Sequence, residues 1–201
     1  MLIKICGIQS EEAAQAAVDA GADYIGFVFA PSKRQITPER AAEITAGLSS
    51  SIRKVGVFVN ETKENIEQTA KTAGLDVIQL HGDEPPEFAA DLDYPVLKAY
   101  PMTSDFPSKA PVYPCDYLLV DSPRGPNRGG NGTTFDWKLL SDSGLDPEKI
   151  ILAGGLTPDN VQAAITAVNP AGVDVSSGVE TNGQKDAAKI SRFVRGAKTN
   201  S

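Results

Sequence analysis

An apolar run, Tyr117-Leu118-Leu119-Val120, ends on a carboxyl group at Asp121. Burial at such a junction disfavours the charged form and raises the pKa toward the range of a general acid. The competing reading is a solvated loop aspartate. Another short run, Ile3–Cys6, ends on a thiol. An ordinary thiol, with a pKa of about 8.5, is only a few per cent ionised near neutrality. Cys6 acting as a base therefore requires help from the amides and dipole of the helix that follows; otherwise it is an inert packing residue. Arg34, in Pro31-Ser32-Lys33-Arg34, carries a planar fork able to grip a carboxylate in two places, or is simply exposed. His81, the single histidine, follows a run ending at Leu80 and is read as a supporting hydrogen-bonding group, against a satisfied core histidine.

The clearest chemistry is anion binding. Ala153-Gly154-Gly155 lets backbone approach a ligand closely, since glycine has no Cβ to intervene. Asp174-Val175-Ser176-Ser177-Gly178 adds hydroxyls, amides and another glycine. Two such loops together predict a phosphate site made of Gly154, Gly155, Ser176, Ser177 and Gly178, in preference to two tight turns.

These groups need a frame that delivers them to one place. Eight short runs rich in Val and Ile serve as strands: Ile3–Cys6, Tyr24–Phe29, Lys54–Val59, Asp76–Leu80, Val96–Ala99, Tyr117–Val120, Ile150–Ala153 and Val173–Val175. They lack strict alternation, as parallel strands covered on both faces do. Helical stripes lie between them, with Ala13, Ala17 and Ala20, then Ala41, Ile44 and Leu48, then Ile66, Ala70 and Ala73. Further along, Val161, Ala164, Ile165 and Val168 make one stripe, and Ile190, Phe193, Val194 and Ala197 another. Ser10 before Glu11-Glu12, Thr37-Pro38-Glu39 and Thr157-Pro158-Asp159 mark helix starts. The segment KICGIQSEEAAQAAVDAGAD is echoed by LAGGLTPDNVQAAITAVNPAGVD, as in a repeated βα unit.

The pattern predicts an α/β fold: one closed parallel (β/α)₈ TIM barrel over residues 1–201, in preference to an open doubly wound sheet. In such barrels function gathers on the loops after the strands, which is where the groups above fall. Pro101–Pro114 carries four prolines, so the fifth crossover is expected to be irregular or one short turn. Ser122–Thr134, with five Gly or Pro among its first nine residues, suits a mobile loop. Cys115 precedes the sixth strand, at the opposite end, and reads as structural.

The bulk numbers exclude several classes. A net charge of −7 disfavours nucleic-acid and anionic membrane partners. No stretch approaches the roughly 20 apolar residues of a membrane helix, and no signal-peptide core opens the chain. Two cysteines make no disulfide framework, so a reduced cytoplasmic chain is expected. One histidine and no Cys/His cluster argue against a metal. Nothing in the pattern fixes the oligomeric state; a monomer is favoured.

Lys4-Ile5-Cys6-Gly7-Ile8, Gly26-Phe27-Val28-Phe29, Ser32-Lys33-Arg34, Val55-Gly56-Val57-Phe58-Val59-Asn60 and Gln79-Leu80-His81-Gly82 resemble the phosphoribosylanthranilate isomerases. The resemblance continues through Leu119-Val120-Asp121, Gly129-Gly130-Asn131-Gly132, Thr134-Phe135-Asp136-Trp137, Gly154-Gly155-Leu156 and Asp174-Val175-Ser176-Ser177-Gly178-Val179-Glu180. It implies an Amadori rearrangement of N-(5-phosphoribosyl)anthranilate in tryptophan biosynthesis, without metal or organic cofactor. It further implies Asp121 as the acid, Cys6 as the base, Arg34 on the anthranilate carboxylate and Asp174 on a sugar hydroxyl or in a supporting contact. The sugar-phosphate isomerase of histidine biosynthesis, and a barrel serving both pathways, are disfavoured by Cys6, since that chemistry uses paired aspartates. A non-catalytic barrel that binds a phosphorylated metabolite is the other alternative.

Overall fold

A computed structural model of the chain describes residues 1–103, 113–122 and 136–199. Eight parallel strands run in chain order around a closed barrel. They are β1 Leu2–Cys6, β2 Tyr24–Val28, β3 Arg53–Phe58, β4 Val77–Leu80, β5 Val96–Pro101, β6 Tyr117–Asp121, β7 Ile150–Leu152 and β8 Gly172–Val175. Closure is made by β1 on β8, in the register Leu2↔Gly172, Ile3↔Val173, Lys4↔Asp174 and Ile5↔Val175.

Side chains alternate along each strand, so the barrel wall separates two layers. Tyr24, Val55, Val77, Leu97, Ala99, Leu119, Ile151 and Ala153 fill the interior. Ile3, Ile5, Ile25, Phe27, Ile78, Leu80, Val120 and Leu152 face outward and pack beneath the helices. Parity and register put Lys4, Cys6, Gln79, Asp121 and Asp174 on the inner face, a polar set stacked above the apolar filling. The absence of alternation in the sequence has this cause: both faces of every strand are covered.

The helices are α1 Glu11–Ala20, α2 Pro38–Thr45, α3 Lys63–Ala73, α4 Pro86–Ala90, α5 Trp137–Ser141, α6 Val161–Val168 and α7 Ala187–Lys198. Ser10 Oγ accepts from the Ala13 amide, and Thr37 Oγ1 from the Arg40 amide, capping α1 and α2 at the expected places. The stripes on α6 and α7 are buried. One start differs. The regular helix expected after Thr157-Pro158 begins three residues later at Val161, and Asn160 as its cap residue makes no side-chain cap bond. Asn160 instead ties down the preceding loop: its Oδ1 accepts from the Thr157 amide at 2.8 Å and its Nδ2 donates to the Gly155 carbonyl at 3.0 Å.

A short antiparallel hairpin, β9 Glu180–Thr181 with β10 Gln184–Lys185, precedes α7. Asn182 and Gly183 turn it with φ of 53° and 80°, the positive pair that a two-residue hairpin turn of this hand demands. Most of the Pro-rich fifth crossover (residues 104–112) and nearly all of the loop after Asp121 (residues 123–135) lie outside the described residues, as do the expectations placed on them. Among the described residues no helix is long and apolar enough to cross a membrane.

Candidate active site

The carboxyl-terminal ends of the strands open into a cavity lined by Asp121, Ala153, Gly154, Gly155, Leu156, Asp174, Val175, Ser176, Ser177 and Gly178. Both glycine-bearing loops therefore share one space with two carboxyl groups. The packing requires the glycines. A Cβ on Gly154, whose φ is +83°, would sit 2.3 Å from the Ser122 amide nitrogen and 2.9 Å from Asp121 Oδ1. One on Gly178 would fall 1.8 Å from the Leu156 carbonyl oxygen, so the loops after β7 and β8 touch backbone to backbone.

Asp121 closes β6 and is only 7% exposed. Its Oδ1 accepts from the Ser122 amide at 2.8 Å and from the Ser122 hydroxyl at 3.3 Å. Burial lifts its pKa from the ordinary 3.8 to about 6; the Ser122 amide works against that rise and the nearby Asp174 charge adds to it. The second oxygen, Oδ2, stands 3.9 Å from His81 Nε2. His81 is half-buried and pinned from behind, with Nδ1 3.0 Å from the Gln79 side-chain nitrogen. In the sequence Gln79 is one polar residue within the apolar fourth run, and nothing in its spacing marks it as the partner of His81.

Cys6 ends β1 and is buried. Burial pushes its thiol above the usual value, against the pull of the Lys4 ammonium. Lys4 donates to Asp174 Oδ1 at 2.9 Å across the β1–β8 seam. This lysine links Cys6 to a carboxylate that lines the cavity, and sequence reasoning missed it because the period of a doubly covered strand does not tell inside from outside.

Arg34 is not exposed: 7% of its surface is accessible. Its fork is engaged by the protein itself, with Nε donating to Glu180 Oε1 at 2.6 Å and Nη2 to Oε2 at 3.0 Å. Lys185 shares Glu180 at 2.6 Å and donates to the Ser176 carbonyl at 3.1 Å. Burial alone would raise the pKa of Glu180, but Arg34 and Lys185 hold it below the usual carboxylate range. Two cations around one carboxylate leave a local excess of positive charge in a chain of net charge −7. The hairpin that brings Glu180 and Lys185 face to face was announced by Asn182-Gly183, a signal the sequence reading passed over.

Glu84 buttresses the neighbouring loops. It accepts from the Asn60 amide at 2.7 Å, the Gly82 amide and Lys98 Nζ at 2.6 Å, binding the turns after β3 and β4 to β5 beside His81. Cys115 lies before β6, at the other end of the barrel, where burial pushes its thiol to about 11.

Known proteins of similar sequence share one description. The family described as N-(5'-phosphoribosyl)anthranilate (PRA) isomerase matches residues 3–196. The chain is 52% identical over 195 residues to the N-(5'-phosphoribosyl)anthranilate isomerase of Oceanobacillus iheyensis, covering 96% of this chain and 95% of that one. Among solved structures it is similar to monomers generated from the dimeric phosphoribosylanthranilate isomerase of Thermotoga maritima, with TM-score 0.86, 40% identity and 98% of each chain covered. It is also similar to a phosphoribosyl anthranilate isomerase in complex with reduced 1-(o-carboxyphenylamino)-1-deoxyribulose 5-phosphate, with TM-score 0.82, 37% identity and 98% of each chain covered. The chain belongs to the N-(5'-phosphoribosyl)anthranilate isomerase family.

Proposed function

We propose that this barrel converts N-(5-phosphoribosyl)anthranilate into 1-(2-carboxyphenylamino)-1-deoxyribulose 5-phosphate, with Asp121 as general acid and Cys6 as general base. The observation that carries this reading is the shared cavity: a raised-pKa carboxyl group at Asp121 and the two phosphate-suited loops line one space. Cys6 is joined to that space through Lys4 and Asp174.

The protonated Asp121 carboxyl gives its proton to the furanose ring oxygen, and the C1′–O bond breaks to leave an iminium ion. That cation acidifies the C2′ proton, which the Cys6 thiolate removes to give an enolamine. Tautomerisation moves a proton to C1′ and leaves the ketone at C2′. Oxidation at C2′ and reduction at C1′ take place within one molecule, so no external oxidant takes part. Each proton-transfer role contributes on the order of 10² to 10⁴ in rate.

The substrate is anionic at both ends. The amides and hydroxyls of Gly154, Gly155, Ser176, Ser177 and Gly178 take the phosphate, where close backbone approach is built in. Arg34 meets the anthranilate carboxylate with the guanidinium edge that Glu180 leaves over, Glu180 fixing its plane. Asp174 faces a sugar hydroxyl, and His81 supports Asp121. Every one of these groups comes from one chain, so the site needs no second copy, and a reducing cytoplasm keeps Cys6 a thiol.

The test supplies phosphoribosylanthranilate and follows the anthranilate fluorescence. Turnover by the parent chain, and its collapse in folded Cys6→Ala and Asp121→Val, is expected. Folded parent protein that binds the compound without converting it would make the barrel a phosphometabolite sensor instead.

A further inference from the structure

We infer that Lys4 is a positioning residue for proton abstraction: clamped by Asp174, its ammonium stabilises the Cys6 thiolate inside the barrel. The inference rests on Cys6 being the base, as proposed above.

Lys4 is among the largest side chains in the molecule with almost no exposure, at 1%. An ammonium taken out of water is costly unless partners replace its hydration, and it has three hydrogens to place. Asp174 Oδ1 takes one at 2.9 Å. The next neighbour is Cys6, two residues on and on the same inner face of β1. The space between them is defined by Gly26, the strand partner of Cys6. A Cβ added there would lie 2.9 Å from Cys6 Sγ and 3.3 Å from Lys4 Cε, so thiol and lysine tip border the same gap that glycine leaves. Any larger residue at position 26 would force both side chains to shift.

The charges facing this pair come from three further elements. Asp174 on β8 holds Lys4, Lys185 on β10 adds a second cation toward Cys6, and Asp121 on β6 feels the charges of Asp174 and Lys4. Lys4 itself stays charged: burial pulls its pKa down, but Asp174 and Cys6 together raise it above the ordinary value. Lys4 favours the charged form of Cys6 more strongly than that of Asp121, where it ranks behind the Ser122 amide and the Asp174 charge, so it acts chiefly on Cys6.

The consequence is kinetic. With a carboxyl group at about 6 and a thiol above its usual value, the resting site holds an ionised Asp121 and a protonated Cys6 near neutrality. The reactive pair, thiolate with carboxylic acid, is a minority whose share falls tenfold for each unit that separates the two pKa values. Losing Lys4 raises the base more than the acid, widens that separation and empties the reactive state.

The experiment titrates the ultraviolet absorbance of the Cys6 thiolate in a Cys115→Ala background, with Cys6→Ala/Cys115→Ala as the blank. Lys4→Met is expected to move the midpoint upward by about one unit or more, and to lower kcat on phosphoribosylanthranilate about tenfold or more with KM within about threefold. If the orphaned Asp174 prevents folding, Lys4→Met/Asp174→Asn compared with Asp174→Asn carries the same expectation. An unmoved midpoint overturns the inference, even where kcat falls, because a merely structural lysine would do that. A parent chain that fails to turn over the substrate sinks the functional reading instead, while the thiol titration still judges Lys4.

Discussion

The two ends of the barrel use aspartate in opposite ways. At the amino-terminal end, Asp23, Asp76 and Asp116 each precede a strand and accept a backbone amide from a neighbour: Ile3 at 2.8 Å, Lys54 at 2.7 Å and Val96 at 2.8 Å. These carboxylates remain partly or fully exposed and fix strand register. At the carboxyl-terminal end, Asp121 and Asp174 are buried against a cavity, one lifted in pKa and the other clamped to a buried lysine. The same side chain braces strands where water reaches it and lines a cavity, lifted in pKa or paired with a buried cation, where water is kept away. The difference lies in which end of a strand the residue occupies, and active barrels place reactive groups where strands end.

Substitution separates the two roles. The largest effect is expected at the upper end: Asp121→Asn keeps the Ser122 contact but has no proton to give, so kcat on phosphoribosylanthranilate falls by about 10² to 10⁴ in steady-state assays. Next comes binding. Arg34→Lys loses the fork that Glu180 orients, and KM is expected to rise roughly tenfold with kcat changed less.

Stability reverses the order. The folded protein binds the Asp121 proton more tightly than the unfolded chain does, with a pKa of about 6 against 3.8. Stability carried by that proton is full below about pH 4 and is lost as pH rises through about 6. Asp121→Asn should therefore be more stable than the parent at pH 8, by up to about 3 kcal/mol, with the advantage vanishing below about pH 4 in urea titrations. An upper-end variant equally unstable at both pH values would contradict the burial argument. At the lower end, Asp76→Ala removes an amide acceptor and is expected to cost about 1 kcal/mol, or roughly 2–4 °C in Tm, with kcat within about twofold of the parent.

Much of this was legible in the sequence. Short Val/Ile runs separated by capped amphipathic stripes predicted all eight strands to within about one residue at most ends, because parallel strands covered on both sides leave an uninterrupted apolar signature. Reading the residue after each run found Cys6, His81, Asp121, Gly154-Gly155 and Ser176–Gly178 at one end of the barrel. The same signature hides direction. Lys4 lies inside a strand whose two faces are both covered, and only the register Lys4↔Asp174 reveals that it points inward to an ion pair 170 residues away in sequence. Glu180 and Lys185 escaped for a different reason, since a two-residue strand pair leaves little pattern beyond its Asn-Gly turn. Thr157-Pro158 gave a sound start signal that Asn160 overrode by bonding the loop rather than the helix.

The most direct measurement is a crystal structure of this chain with reduced 1-(o-carboxyphenylamino)-1-deoxyribulose 5-phosphate bound. It should show Cys6 Sγ within about 3.5 Å of C2′ and an Asp121 oxygen at hydrogen-bond distance, about 2.6–3.2 Å, from the oxygen on C4′ that closed the furanose ring. The phosphate should rest between Gly154–Gly155 and Ser176–Gly178. A ligand whose C2′ lies beyond reach of the thiol, or whose phosphate sits away from both loops, would contradict the account.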